Sequence, residues 1–340
     1  MPPPLTIPGS RLTLGNRVLA APMCGSSKLP WRRQARRFGA DLVYTEMVKA
    51  TPLVRDDRLT LELLHTAPDE APCAPQVCGG EPELLARAAA RLEALGFPLV
   101  DLNMGCPVRK IVAEGAGAAL LRDPARVEAV VRACARAVSI PVTVKLRSGW
   151  GPETQVDAPT LVRAAEAGGA ALVTIHGRVP AQRHGGSVDL DAIAAAKAAV
   201  RIPIVANGGI ESAADAVAMV QATGCDAVMI GRGAHGRPWL YRDVARALAG
   251  LPPLPEPGPD ERCDLIQEHL QGMLELMGPH GVIAFRKYAA WYFRDRPGAA
   301  ALRDRAVRTS EAGAMGDLIQ RWRQELRTGA PARPLAPIPA

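Results

Sequence analysis

One cysteine of the seven stands where it could do chemistry. The run Leu99-Val-Asp-Leu-Asn-Met-Gly-Cys-Pro107 begins as a buried strand would. It then stops on Asn103, Gly105 and Pro107, residues that end strands and open loops. Cys106 is therefore expected on a strand-end loop, presented to a pocket. Ordinary thiols keep their protons at neutral pH, so a thiol held there can serve as an acid. The other six cysteines, at 24, 73, 78, 134, 225 and 263, read by themselves as small buried hydrophobes. They form no Cys-x-x-Cys pair, and an odd count in a long chain does not make a disulfide framework. Reduced thiols and a cytoplasmic setting are expected. The six histidines lack the spacing of a zinc site, so no metal is expected.

Other residues could act on a ligand. Lys145 and Arg147 are two apart at a strand end and share a face, where a cation can stabilise negative charge on a reduced ring or an enolate. A lone histidine is most often packed in a core, but His176 follows the apolar run Leu172 to Ile175 and precedes Gly177, a place suited to ligand contact. Ile204-Val-Ala-Asn-Gly-Gly-Ile210 and Val228-Met-Ile-Gly-Arg-Gly233 offer bare backbone N–H groups at two strand ends. That arrangement suits a phosphate, and Arg232 adds charge. Gly231-Arg-Gly-Ala-His-Gly236 spells G-x-G-x-x-G. It follows the last strand instead of the first, and Pro238 interrupts the turn, so a dinucleotide fingerprint is rejected.

Eight short apolar runs must position these groups. They are Arg17 to Ala21, Leu42 to Thr45, Pro75 to Cys78, Leu99 to Leu102, Val142 to Lys145, Leu172 to Ile175, Ile204 to Ala206 and Ala227 to Ile230. Amphipathic segments with readable ends separate most of them. Asp123 and Pro124 open one helix; Gly96 closes another, over Glu81 to Leu95; Ser212 and Asp215 form a capping box, with Gly224 at the far end. Eight β-α units in this length match a (β/α)₈ TIM barrel, with a doubly wound sheet as the competitor. In a barrel the active site lies at the C-terminal ends of the strands, where the polar residues above collect.

The barrel is expected over residues 1–250. Leu251-Pro-Pro-Leu-Pro-Glu-Pro-Gly-Pro259 cannot continue a helix or enter a sheet and reads as a linker. Residues 260–328 read as a small all-helical domain, with Asp260 as a cap, Gly278 as a stop, and further helices over Val282 to Phe293 and Asp317 to Leu326. The tail, 329–340, is expected to be disordered. The first residues lack the basic and apolar stretches of an export leader, and no run is long enough to span a membrane.

Of the net charge of +7, residues 281–340 hold 11 Lys and Arg against 5 Asp and Glu, while the rest is nearly balanced. That excess suits a polyanion. Arg286 and Lys287 precede Tyr288, Trp291 and Tyr292, and Arg32, Arg33, Arg36 and Arg37 crowd the first helix. Such mixtures serve RNA phosphates and splayed bases; core packing of the aromatics is the alternative.

Six motifs in order, Ala20-Ala-Pro-Met23, Asp101-Leu-Asn-Met-Gly-Cys-Pro107, Val144-Lys-Leu-Arg-Ser-Gly-Trp150, Thr174-Ile-His-Gly-Arg178, Ala206-Asn-Gly-Gly-Ile210 and Met229-Ile-Gly-Arg232, resemble the tRNA-dihydrouridine synthases, in particular their bacterial B-type branch. The resemblance implies an FMN-dependent barrel, re-reduced by NADPH, with a helical tRNA-binding domain. It implies hydride transfer to C6 of a uridine in the tRNA D-loop and a proton for C5 from Cys106. It also implies that Pro22, Met23, Cys24, Gln76, Lys145, Asn207, Gly208, Gly209, Gly231 and Arg232 contact FMN. Asn103, Arg147 and His176 would lie near the uracil or the flavin. Cys24, Cys78 with Gly79, and Gly209 depart from the family's usual residues. An FMN-dependent barrel oxidoreductase acting on a small molecule is the alternative reading.

Overall fold

The computed structural model describes residues 4–151, 154, 156–183, 185–294 and 299–329. Eight of its strands are β1 (Val18–Ala20), β2 (Val43–Lys49), β3 (Cys73–Cys78), β4 (Val100–Met104), β5 (Val142–Arg147), β6 (Leu172–His176), β7 (Ile204–Asn207) and β8 (Ala227–Ile230). They pair in parallel from β2 through β8. The ring then closes: Val228 of β8 pairs with Val18 of β1, and Leu19 bridges to Leu42 beside β2. This is the TIM barrel. Strands covered on both faces need apolar residues almost throughout, which is why the sequence shows them as unbroken apolar runs.

Five strands run past their expected ends, β2 to Lys49 and β4 to Met104 among them. β5 continues to Arg147, β6 to His176 and β7 to Asn207, with Arg147 paired to His176 and His176 to Asn207. The polar residues that looked like loop residues are strand ends held rigidly in a ladder. The expected helix ends are present too. Asp123 accepts from the N–H of Ala125, Ser212 and Asp215 cap each other's turn, and Gly224 closes its helix with a positive φ.

A two-stranded hairpin, Leu5–Thr6 with Thr13–Leu14, was not legible in the sequence because each arm is only two residues. Its Ile7 and Leu14 pack against Leu42, Leu99, Leu172 and Val205 at the N-terminal end of the barrel. That end is plugged, so the cavity opens at the other.

Residues 251–258 carry neither helix nor strand. Four helices follow, Pro259–Met277, His280–Tyr292, Ala299–Ala306 and Ala312–Thr328. The first starts two residues earlier than expected, with Gly258 at its N-cap, so Asp260 lies inside it and its carboxylate pairs with Arg327 (2.5 Å) instead of capping. The helix over Ala299–Ala306 was not anticipated. Small residues obscured the true start of the last one. Gly278, with a positive φ, ends the first helix as expected. The expected disordered tail falls almost wholly on residues 330–340, outside the described residues. No helix among the described residues is long and apolar enough to cross a membrane.

The helices sit on the barrel. Tyr288 donates to the carbonyl of Ser26 (2.8 Å), and Gln34 donates to the carbonyl of Leu265 (2.6 Å). Trp291 stacks on His235, which follows β8, with ring centroids 3.6 Å apart.

Candidate active site

Side chains alternate along a strand, so Asp101 and Asn103 of β4 share a face, as do Thr143, Lys145 and Arg147 of β5. The register sets Gln76 beside Asp101, Asp101 beside Thr143, and Asn103 beside Lys145. These neighbours are bonded. Thr143 Oγ1 donates to Asp101 Oδ1 (2.6 Å), Gln76 Nε2 donates to Asp101 Oδ2 (2.7 Å), and Asn103 Nδ2 donates to Gln76 Oε1 (2.8 Å). Lys145 Nζ donates to Asn207 Oδ1 across to β7 (3.0 Å), and Asn207 Nδ2 donates to the carbonyl of Met229 (2.8 Å). Burial raises Asp101 to about 6; burial and the nearby Arg147 lower Lys145 to about 8.

Above this floor lies a cavity of about 970 Å³. Cys106 lines it and is partly exposed. Its loop is held on several sides. Asn103 Oδ1 accepts from the N–H of Gly105 (3.2 Å) and of Cys106 (3.0 Å), Arg147 Nε donates to the carbonyl of Gly105 (2.8 Å), and the N–H of Ala118 donates to the carbonyl of Cys106 (3.0 Å). Gly117 behind it has a positive φ, and a Cβ there would stand 2.8 Å from the Cys106 carbonyl. Only glycine suits that place.

Opposite, Gly208 follows β7 with φ +115°, and a Cβ on it would stand 2.7 Å from the His176 ring. Bare backbone at Gly208, Gly209 and Gly231 leaves room for a ligand to reach N–H groups, and Arg232 lines the same space. This glycine cradle, the half-buried Lys145 cation and the paired amides fit a phosphorylated, electron-accepting ring system. Those donors are what a flavin phosphate and an isoalloxazine edge require.

Every expected cofactor or substrate residue of the barrel lines this one cavity: Pro22, Met23, Cys24, Gln76, Asn103, Cys106, Lys145, Arg147, His176, Asn207, Gly208, Gly209, Gly231 and Arg232. Arg147 is buried and also donates to the carbonyl of Arg183 (3.0 Å), so it ties the mouth loops together. His176 meets Arg178 Nη1 at 3.3 Å. Arg286 and Lys287 lie outside the cavity lining. Arg286 donates to the carbonyl of Thr309 (2.8 Å), and Lys287 rests over the Tyr288 ring, 5.2 Å from its centroid.

The first-helix arginines are not a free basic face. Arg32 is buried and grips Glu70 with two bonds (2.6 and 2.9 Å), Arg33 pairs with Asp69, Arg37 pairs with Glu268, and Arg36 donates to the carbonyl of Ala40. Their spacing reflects pairing with residues remote in sequence. In the C-terminal helices, Arg323 pairs with Asp264 (2.6 Å) and Arg321 with Glu325 (3.1 Å). Asp101, Thr143 and His235 were missed as site residues. An acid in the middle of an apolar strand run was the available signal for Asp101.

A family model described as dihydrouridine synthase (Dus) matches residues 18–326. The chain belongs to the dihydrouridine synthase family of flavoenzymes. Among proteins similar to it, tRNA-dihydrouridine synthase B of Pseudomonas aeruginosa is 38% identical over 325 residues, covering 94% of this chain and 97% of that one. The protein of the same name from Xanthomonas axonopodis pv. citri is 38% identical over 320 residues, covering 94% and 96%. A probable tRNA-dihydrouridine synthase of Rhizobium leguminosarum bv. phaseoli is 40% identical over 301 residues, covering 88% and 92%. The dihydrouridine synthase resemblance drawn from six motifs is thereby borne out over nearly the whole chain, and with it an oxidoreductase barrel.

Proposed function

We propose that the protein is a cytoplasmic tRNA-dihydrouridine synthase that holds FMN at the mouth of its barrel, takes reducing equivalents from NADPH, and saturates the C5=C6 bond of a D-loop uridine. Residues up to 250 form the catalytic unit, 251–258 the linker, one residue shorter than expected because Pro259 opens a helix, and 259–328 the tRNA-binding unit. When bound, the flavin supplies the hydride that C6 receives. The chain's own residues supply the rest. Gly208, Gly209 and Gly231 offer N–H groups to the phosphate, with Arg232 adding charge, and Asn207 keeps Lys145 aimed at the ring as a cation. Pro22, Met23, Cys24 and Gln76 bound the ring's site, while Asn103, Arg147 and His176 border the uracil. Cys106 gives its proton to C5 and recovers one from solvent. The base must leave its stack, at roughly a few kcal/mol, and contacts from the helical unit offset this. Lys287, beside Gly25 at the junction, is better placed for RNA than Arg286, whose guanidinium already serves Thr309.

One observation carries this reading: the partly exposed Cys106 thiol opens on the same cavity as the glycine cradle and the Lys145–Asn207 pair. Purified protein should be yellow and form dihydrouridine in tRNA. Cys106→Ala should keep the flavin and lose about 10²–10⁴-fold in rate, the usual contribution of a general acid. A colourless protein, or a Cys106→Ala variant of undiminished activity, defeats the proposal. Reduction of a small molecule left unchanged when residues 254–340 are removed would favour the alternative substrate class.

A further inference from the structure

The amide chain beneath Cys106 has a direction, and that direction must be set by a group that cannot reverse. A primary amide donates at one end and accepts at the other. Gln76 spends its NH₂ on Asp101 Oδ2 (2.7 Å), which turns its oxygen to Asn103. Asn103 spends its NH₂ on that oxygen (2.8 Å), which turns its own oxygen to the N–H groups of Gly105 and Cys106 (3.2 and 3.0 Å). Reversing either amide would set oxygen against oxygen or NH₂ against N–H. Gln76 and Asp101 are each 1% exposed, so water cannot make good the loss. The fixed ends are the backbone donors of the loop and, in the barrel floor, a carboxylate, which when ionised only accepts.

We propose that Asp101 is a positioning residue: the acceptor oxygen it turns to Gln76 closes the floor end of the Gln76–Asn103 amide chain, as the loop N–H groups close the other, and so holds the loop that presents Cys106. This deepens the reading of Cys106 as proton donor and rests on that reading for its catalytic consequence alone. Thr143, the other donor to Asp101 (2.6 Å), carries a hydroxyl that can turn and accept. Asp101→Asn therefore keeps the direction, its oxygen toward Gln76 and its NH₂ toward Thr143. Asn103→Asp does not, because two carboxylates then face one Gln76 amide and one of them lacks a donor. Combining the two restores a consistent chain in the opposite sense. The new amide at position 101 donates to Gln76, Gln76 donates to the new carboxylate at 103, and that carboxylate still accepts from both loop N–H groups.

Backbone hydrogen exchange of the flavin-bound protein, followed in the peptide containing Gly105 and Cys106, tests this. Asn103→Asp should speed exchange by about tenfold or more, the equivalent of one lost bond. Asp101→Asn should stay within about threefold of wild type, and the double variant should return to within about threefold. A role in packing alone would not let a second substitution repair the first. Exchange unmoved by Asn103→Asp, or not restored in the double variant, overturns the proposal. If Asn103→Asp alone is too unstable to purify, the double variant decides, since it must purify with flavin and protect the loop. Asn103→Asp should also lower kcat for dihydrouridine with KM for tRNA within about threefold. Wild-type protein that makes no dihydrouridine would defeat the proposed function and leave the exchange result standing.

Discussion

At the scale of single residues, charge at Lys145 is the property most open to test. Burial and the neighbouring Arg147 lower it to about 8, so the ammonium is charged at neutral pH and loses its proton as pH rises through that value. A ring whose nitrogen or carbonyl oxygen accepts a hydrogen bond from Lys145 would favour the charged form. Flavin affinity of the stripped protein should therefore fall as pH rises above about 8. Lys145→Met should weaken binding at pH 7 by roughly 1.5–3 kcal/mol, the worth of a hydrogen bond to a charged group, and should flatten that pH dependence. Titration of flavin fluorescence against protein at pH 7 and 9 reads both. Equal affinity at the two values would argue that another group carries the charge. Arg32 shows the opposite use of a cation. Buried against Glu70, it fastens the first helix to the segment before β3, and its loss would leave an uncompensated carboxylate worth about 3–5 kcal/mol.

At the scale of elements, the helix His280–Tyr292 is joined to the barrel by a polar thread. Tyr292 donates its hydroxyl proton to Gln34 Oε1 (2.6 Å) and meets His269 Nδ1 at 2.8 Å, so His269 is the donor in that bond. Tyr292→Phe leaves two buried groups unpaired and should cost roughly 1–3 kcal/mol in denaturant unfolding. Burial, with Lys287 nearby, pushes His269 down to about 3. A folded value below the unfolded one near ~6.5 means that His269 contributes fully above about pH 6.5. Its contribution drains away as pH falls towards about 3. The loss of melting temperature between pH 6.5 and 4.5 should shrink in His269→Gln; an identical loss would mean that other groups carry the acid sensitivity. The thread also ties the helical unit to the rim where Tyr288 and Trp291 meet Ser26 and His235.

For the whole molecule, the net charge of +7 is the property a tRNA would sense. Many of the arginines behind it are engaged within the fold, Arg323 and Arg327 with Asp264 and Asp260 among them. Binding through phosphate contacts releases counterions, so raising salt from about 50 to about 200 mM should weaken tRNA binding by tenfold or more, while kcat at saturating tRNA stays nearly constant. An affinity insensitive to salt would point to shape and base contacts instead. The hairpin plugs the N-terminal end, and the helices dock at the other, beside the loop that follows β1.

The amino-acid order by itself marked the eight strands, while the pairing of Val228 with Val18 decided that they close into a barrel and not a doubly wound sheet. Eight buried parallel strands demand eight apolar runs, and the punctuation between them, Asp123 with Pro124, Ser212 with Asp215, Gly224, is local chemistry that needs no distant partner. It also marked Cys106, Lys145, Asn207 and the glycine pair, because strand-end position is readable from where an apolar run stops. Only the tertiary structure decided what joins them. That Asp101 faces Gln76 and Thr143 depends on register between three strands separated by 25 and 42 residues, and a one-residue slip would turn every side chain to the other face. For the same reason the arginines of the first helix looked like a basic surface until Glu70, Asp69 and Glu268, remote in sequence, were found against them. Charge pairing is set by distance in space, which composition does not encode.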